Sequence, residues 1–333
     1  MKRRKVFQFN TELFKVTGIQ RVLLDIHEAL KEEFDVKIVG NLPFDKVNRS
    51  LDISEDDYVR FKTPLMFRNS VVIIHERRLL PLMWLIIHIP WFNVKCVYIH
   101  HSVLYGHKLL SLFPKNIVAI SDSGIKNLTE NFNIARKNIT KIHNCVREIF
   151  PYHPRPRKFN PNDITILYPA RINSIKRQID IVNKLNGKLD PRVKILFAGD
   201  GPLLEEFKKI CDGNEQFKPL GFRDDILDLM QQCDFMLLFS KTEGLPISLI
   251  ESIKSGLPAI CNNVGGNSEI IEDGKNGYIV QSWEELETLL NSLPNKTTEE
   301  ILSLGLNGRK SYKDFSFNIF KSNYINYIKQ IMK

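Results

Sequence analysis

Apolar runs and amphipathic stretches alternate along the chain at the two spacings that separate strands from helices. Short runs rich in β-branched and aromatic residues predict strands at Val6–Phe9, Val36–Val39, Val71–Ile74, Val94–Ile99, Ile117–Ile120 and Ile139–His143. Between the first two, Gly18–Leu30 repeats apolar residues at helical spacing. The pattern stops at 150–161, which holds four prolines in twelve residues and reads as a linker. It then restarts, with strands predicted at Ile164–Tyr168, Val193–Ala198, Phe217–Leu220, Phe235–Phe239 and Ala259–Asn262, helices between them, and a last helix at Phe317–Ile331. Strand–helix alternation of this kind predicts parallel sheets wrapped by helices. The fold class is therefore α/β, with two Rossmann-like doubly wound domains and a ligand cleft expected where the carboxyl ends of both sheets face each other. The domains are expected at 1–155 and 162–315, with the helix at about 316–333 packing back on the first.

One apolar stretch fits neither half comfortably. Residues 79–92 are almost wholly apolar, carry Trp84 and Trp91, and are flanked by Arg77, Arg78 and Lys95. A bilayer span takes roughly 20 residues, so this one is too short. It is either a buried helix or a surface that dips into a membrane interface.

The 333 residues suffice for two cores, and 43% hydrophobic with 26% charged is globular. Lys and Arg outnumber Asp and Glu by 47 to 38, for a net charge of +9, with one basic cluster at Lys2, Arg3, Arg4 and Lys5. An anionic partner is implied: a phosphate-bearing substrate or an anionic membrane surface. No helix-turn-helix, zinc or RNA-binding signature supports nucleic acid as that partner. The five cysteines are scattered without a C-x-x-C and read as reduced core thiols. Residues 5–10 read as a first strand rather than the apolar core of a secretory signal, so a cytoplasmic protein is expected.

The chemistry concentrates in the second half, at strand ends. Glu243 and Glu251 stand eight residues apart across a Gly244-Leu245-Pro246 turn that opens a helix. Pro246 occupies the expected first helical position, and Gly256 and Pro258 mark the stop. Ile247, Ile250 and Ile253 take one face of that helix; Ser248, Glu251, Ser252 and Ser255 take the other, which is expected to be polar. A helix start suits a phosphate, and carboxylates beside it can accept hydrogen bonds from sugar hydroxyls. Arg171 and Lys176, five residues apart after a strand, could clamp a diphosphate. Gly199-Asp200-Gly201-Pro202 predicts a tight turn that starts a helix, but lacks the completion of a dinucleotide fingerprint. Phe222 and Arg223 place a ring and a cation at another strand end. Gly265 and Gly266 allow close backbone approach.

Together, Arg171…Lys176, Gly199-Asp200-Gly201-Pro202, Gly221-Phe222-Arg223, Glu243…Glu251, Ser255-Gly256-Leu257-Pro258 and Gly265-Gly266…Glu269 resemble, in order and spacing, the GT-B glycosyltransferases of family 4. The match is strong over 163–285. It is weaker but consistent at Gly18-Ile19-Gln20-Arg21-Val22, His100-His101-Ser102, Ala119-Ile120-Ser121-Asp122-Ser123 and Ile142-His143-Asn144-Cys145-Val146. The resemblance implies a retaining enzyme that moves a sugar from a nucleotide-sugar, UDP being the commonest nucleotide, to a glycan or lipid-linked glycan acceptor in surface polysaccharide biosynthesis. It implies that Arg171 and Lys176 neutralise the donor diphosphate, Glu251 holds the ribose, and Glu243 contacts the transferred sugar. Gly244, Leu245 and Pro246 would bring the helix N-terminus to that sugar, and Gly18 would face the diphosphate. Phe222 and Arg223 join the donor set, near the base. The family's cleft histidine falls on His100 or His101, and Ser102 after it favours His101. Thr17-Gly18-Ile19 departs from the commoner Gly-Gly, and Asn144-Cys145-Val146 from Asn-Gly-Val. No D-x-D motif or Cys/His ligand spacing occurs, so no metal or other cofactor is expected. A non-catalytic GT-B partner subunit and a nucleotide-sugar epimerase are the competing readings. If the apolar segment touches lipid, the protein is peripheral on the inner face of the cell membrane.

Overall fold

The computed structural model describes residues 4–106, 108, 111–147 and 159–333. It divides into two compact units, Met1–Arg147 with Phe315–Lys333, and Glu148–Asp314. Residues 150–158 of the proline-rich stretch, and Lys2 and Arg3 of the basic cluster, lie outside the described residues.

The first unit opens with β1 (Lys5–Phe9), α1 (Gly18–Leu30), β2 (Asp35–Gly40), β3 (Tyr58–Arg60) and β4 (Val71–Ile74). It continues with α2 (Leu80–Ile87), β5 (Lys95–His100), β6 (Asn116–Ala119), α3 (Asp122–Lys126) and β7 (Ile139–Lys141). The strands pair in parallel in the order β3-β2-β1-β4-β5-β6-β7. Val71–Ile74 are buried throughout, as a strand covered on both faces requires. A capping box starts α1: the Thr17 side chain accepts from Ile19 N–H, and Gln20 Oε1 accepts from Thr17 N–H at 3.1 Å. Val22, Leu23, Ile26, Ala29 and Leu30 then form its buried stripe.

The second unit runs β8 (Ile164–Pro169), α4 (Gln178–Leu185), β9 (Val193–Ala198), α5 (Leu204–Ile210), β10 (Phe217–Gly221), α6 (Ile226–Gln232) and β11 (Phe235–Leu238). It ends with α7 (Ile247–Ser255), β12 (Ala259–Asn262), α8 (Asn267–Ile270), β13 (Gly277–Val280), α9 (Trp283–Ser292) and α10 (Thr298–Ser311). Its sheet is parallel in the order β10-β9-β8-β11-β12-β13. The chain then returns to the first unit as α11 (Phe317–Ile331), which packs on α1 through buried Phe320, Tyr324, Tyr327 and Ile328. Lys321–Glu32 at 2.6 Å and Lys329–Glu33 at 2.8 Å rim that contact.

Each sheet reverses its winding once. In the first unit the reversal lies between β1 and β4, in the second between β8 and β11. The loops leaving those strands diverge and leave a crevice at their carboxyl ends, where open α/β sheets bind ligands.

The expected strands form with ends shifted by at most two residues, and β3 and β13 are additional. Three other expectations fail. Ser252 and Ser255 do not face solvent from α7: both are buried, Ser252 Oγ donating to Leu257 O at 2.7 Å and Ser255 Oγ contacting Met230 Sδ at 3.7 Å. Ile247 is only half-buried, and the buried face runs through Leu249, Ile250 and Ile253 instead. The turn at 199–202 does not itself start a helix, because α5 begins at Leu204. Residues 79–92 are neither wholly buried nor wholly exposed. Leu79, Leu80, Met83, Ile86 and Phe92 enter the core, whereas Trp84, Leu85 and Trp91 stand 39%, 58% and 68% exposed.

Candidate active site

Lys176 and Glu243 leave the two strands at the second unit's reversal, one in the loop after β8 and the other in the loop after β11. They meet there, Lys176 Nζ donating to Glu243 Oε1 at 2.5 Å. Glu243 is buried and the Lys176 side chain is 21% exposed, so the pair is shielded from most of the screening that weakens surface ion pairs.

Local chemistry holds Lys176 in place. Asn173 Oδ1 accepts from the N–H groups of Ile175 (3.0 Å) and Lys176 (2.9 Å), the turn geometry that short amide side chains favour. The Tyr168 hydroxyl donates to Lys176 O at 2.5 Å and accepts from Phe239 N–H at 3.2 Å, tying the two loops to one strand end. Lys241 N–H donates to Ile175 O at 2.8 Å, closing the link. Arg177 follows in the left-handed region (φ 59°), with its guanidinium over Trp283 (4.3 Å) and Phe239 (5.1 Å) and its Nε on Asp180.

The glycine turns support these loops from behind. A Cβ on Gly199 would lie 2.0 Å from Ala170 O, and one on Gly201 2.2 Å from Ile172 O. The turn at 199–202 is therefore pressed against the Arg171 loop, with Ile172 N–H donating to Asp200 O at 3.0 Å. Gly265, at φ 59°, backs the other side: a Cβ there would lie 2.2 Å from Glu243 O, and Gly266 N–H donates to Gly244 O at 2.7 Å.

The remaining second-unit residues follow β8, β10 and β11 of the same sheet. Arg171 is exposed, its guanidinium unpaired among the described residues, while its carbonyl accepts from Gln178 Nε2 at 3.0 Å. Gly244 and Leu245 lead from Glu243 to Pro246, the N-cap of α7, so the helix start lies a few residues from the ion pair. Glu251 is half-buried on α7. Phe222 is 75% exposed after the edge strand β10, and Arg223 Nε donates to Asp225 Oδ1 at 2.7 Å, holding that carboxyl below its usual range. Among the described residues no cluster of three His, Cys, Asp or Glu side chains could hold a metal ion.

Gly18 and His101 belong to the first unit. Gly18 is the exposed first residue of α1, with open space where a Cβ would be. His101 follows β5, half-buried, with Nε2 3.0 Å from His75 Nδ1. His100 is fully buried, its Nε2 3.0 Å from Asn127 Oδ1. Burial pushes both imidazoles down, His100 to about 4 and His101 to about 3, the neighbouring His100 adding to the effect on His101.

Sequence reasoning did not single out Asn173, Tyr168, Arg177, Gln178 or His75. Signals existed: Asn173 precedes Ile175 by the two-residue spacing of an Asx turn, Gln178 is a polar residue on the buried side of α4, and His75 follows a strand end beside the one that carries His100.

Two doubly wound units, one with a charged pair at its reversal point, define a class: two-domain Rossmann-like α/β proteins of the GT-B type. The crystal structure of Anabaena HepE in complex with UDP and glucose shares this fold, with a TM-score of 0.83 at 16% identity over 98% of this chain and 100% of that one. The family model for glycosyl transferases group 1 matches residues 151–311. The O-antigen biosynthesis glycosyltransferase WbnH of Escherichia coli is 29% identical over 58% of this chain and 58% of its own length. The UDP-Gal:alpha-D-GlcNAc-diphosphoundecaprenol alpha-1,3-galactosyltransferase of Escherichia coli is 26% identical over 41% of this chain and 36% of its own. The matched stretch thus spans about half the length of these relatives or less. Residues 151–311 therefore resemble the group 1 glycosyl transferases, and the whole chain shares the GT-B fold.

Proposed function

We propose that the protein is a retaining glycosyltransferase that moves a sugar from a UDP-sugar to a glycan or lipid-linked glycan in surface polysaccharide biosynthesis. The observation that carries this reading is the Lys176–Glu243 pair, 2.5 Å apart at the reversal point of the second sheet and just before the N-terminus of α7. Relatives' names support the donor and acceptor classes: one takes UDP-Gal and a diphosphoundecaprenol-linked sugar, another acts in O-antigen biosynthesis, and HepE was crystallised with UDP and glucose.

Arg171 and Lys176 balance the charge that gathers on the departing diphosphate, together with N–H groups at the start of α7. Glu243 accepts from hydroxyls of the transferred sugar while staying within reach of Lys176. Glu251 holds the ribose, Gly244, Leu245 and Pro246 bring the helix start close, and Phe222 and Arg223 lie toward the base. His101 is assigned to the reacting sugar and Gly18 to the diphosphate. The bond between the anomeric carbon and the bridging phosphate oxygen breaks as the acceptor oxygen bonds on the same face, and the acceptor proton passes to that leaving oxygen. The reaction needs no metal in this scheme, because side-chain cations and helix N–H groups carry the counter-charge.

A thermal-shift screen of nucleotide-sugars, followed by transfer of radiolabel from the best binder to lipid-linked acceptors, tests this. A donor at about 100 times its Kd stabilises by roughly 2.7 kcal/mol. Absence of any shift and of any transferred label overturns the reading. Label transfer by the protein also excludes the partner-subunit reading, and transfer rather than isomerisation excludes the epimerase.

The exposed Trp84, Leu85 and Trp91 extend the proposal to the inner membrane surface, where such side chains settle among headgroups. The flanking cations are partly engaged at home: Arg78 pairs with Glu76 and Glu12, Arg77 donates to Gly106 O, and Lys95 to Ile331 O. The apolar face therefore carries the binding, and no described helix is long and apolar enough to cross a membrane. Flotation with anionic liposomes, at low and at moderate salt, should recover the protein with the vesicles; no binding in either overturns it.

A further inference from the structure

We propose that His75 is a positioning residue that fixes the tautomer of His101, so that His101 presents a bare Nδ1 to the substrate and acts as a hydrogen-bond acceptor. The inference rests on the assignment of His101 to the reacting sugar, and it identifies what that imidazole offers.

The assignment of protons follows from one end of a chain of hydrogen bonds. Leu23 O, in α1, can only accept, so the Gln8 side-chain atom 3.0 Å from it is the amide nitrogen. That leaves Gln8 Oε1 facing His75 Nε2 at 3.1 Å. A carbonyl oxygen also can only accept, so His75 Nε2 carries a hydrogen. His75 is 3% exposed, and burial with His101 beside it holds its pKa well below the usual histidine range, so the ring is neutral. A neutral imidazole with hydrogen on Nε2 has a bare Nδ1. Here that atom lies 3.0 Å from His101 Nε2, which must therefore donate. His101 is neutral as well, so its second nitrogen, Nδ1, is bare.

The alternative, a histidine that only anchors neighbouring chain in the core, describes His100 better than His101. His100 is fully buried with its Nε2 on Asn127, whose amide also brackets Leu104. His101 is half-buried, and its Nδ1 makes no hydrogen bond among the described residues. Gln8, His75 and His101 come from β1, the end of β4 and the end of β5, three neighbouring strands at the reversal point of the first sheet. An imidazole so locked can take a hydrogen bond from a sugar hydroxyl and cannot give one from Nδ1. Second-sphere partners that fix a ring's tautomer in this way are how proteins select which histidine nitrogen does the work.

The full-length protein, labelled with 15N histidine, tests this by long-range imidazole NMR, with His101→Gln supplying the assignment. The wild type should show a protonated Nε2 and an unprotonated Nδ1 at His101 near neutral pH. In His75→Leu the lock is lost, the His101 signals should move toward mixed tautomers, and kcat should fall about tenfold, the worth of one hydrogen bond, with donor KM little changed. His75→Asn places an amide oxygen near the position of Nδ1 and should restore both signals and kcat. A wild-type His101 protonated on Nδ1 overturns the proposal, even if His75→Leu fails to fold. So does a His75→Leu protein with unchanged tautomer and unchanged kcat. If the tautomer is as stated but His101→Gln turns over like the wild type, the lock stands and the placing of His101 at the reacting sugar falls.

Discussion

Lys176 is held by its backbone as much as by its charge partner. Two N–H groups converge on Asn173, the carbonyl is taken by Tyr168, and the next residue is stacked on Trp283. The ammonium thus arrives at Glu243 already ordered, and binding a diphosphate costs little further side-chain entropy. Lys176→Ala should lower turnover by about 10²–10³-fold, the cost of deleting one preorganised donor to developing charge, while the circular dichroism spectrum stays native. A near-wild-type kcat would sink the assignment of Lys176. Arg177 allows a finer test, because it combines a left-handed backbone with a cation–aromatic stack. Arg177→Ala and Arg177→Gly both lose the stack, but only glycine adopts φ 59° without strain. Urea denaturation should find the glycine variant about 1 kcal/mol more stable than the alanine variant. Equal stabilities would mean that the backbone carries no strain there.

Elements whose evidence is periodic were legible from the chain alone. The stripe of α1, the run of Val71–Ile74 and the heptad-like apolar spacing of α11 each follow from burial on one face or on both. The strand Tyr58–Arg60 escaped because three edge residues are too few to show alternation, and Gly277–Val280 because a glycine opens it. Ser252 and Ser255 misled because a hydroxyl is polar by composition yet disappears into a helix–loop contact once its hydrogen bond is made. The candidate site divides in the same way. Its charges could be read from strand ends, whereas the support that orders them is tertiary: Gly265 matters through Glu243 O, far away in sequence. Gly265→Ala should destabilise the second unit by about 2 kcal/mol or more, since the methyl meets backbone and the residue is left-handed. Gly18→Ala should leave stability within about 0.5 kcal/mol, because nothing lies near the added Cβ. If Gly18 instead admits the diphosphate closely, its alanine variant will raise donor KM at unchanged Tm. Thermal melts and donor titrations on the two variants separate scaffold from site.

At the scale of the whole molecule, the chain leaves the first unit after Arg147 and re-enters it at Phe315, so the second unit is an insertion between β7 and α11. The two units differ in how they should respond to acid, because several buried imidazoles, His75 and His100 among them, lie in the first. Desolvation holds both below the ordinary value of 6.5, His100 at about 4. The Asn127 hydrogen bond opposes desolvation of His100 in part, and the Arg77 charge, a smaller effect, pushes it further down. A group whose folded pKa is depressed in this sense binds its proton first in the unfolded chain. Its contribution is therefore fully present above pH 6.5 and is lost as pH falls from there toward 4. Between pH 7 and pH 5 His100 should withdraw about 2 kcal/mol from the stability of the first unit, and His75 should act in the same direction. Hydrogen exchange read peptide by peptide along the intact chain checks this. Protection in β1, β4 and β5 should collapse across that window while β8, β9 and β12 hold theirs. Parallel loss in both units would show that the imidazoles of the first sheet are not what acid attacks.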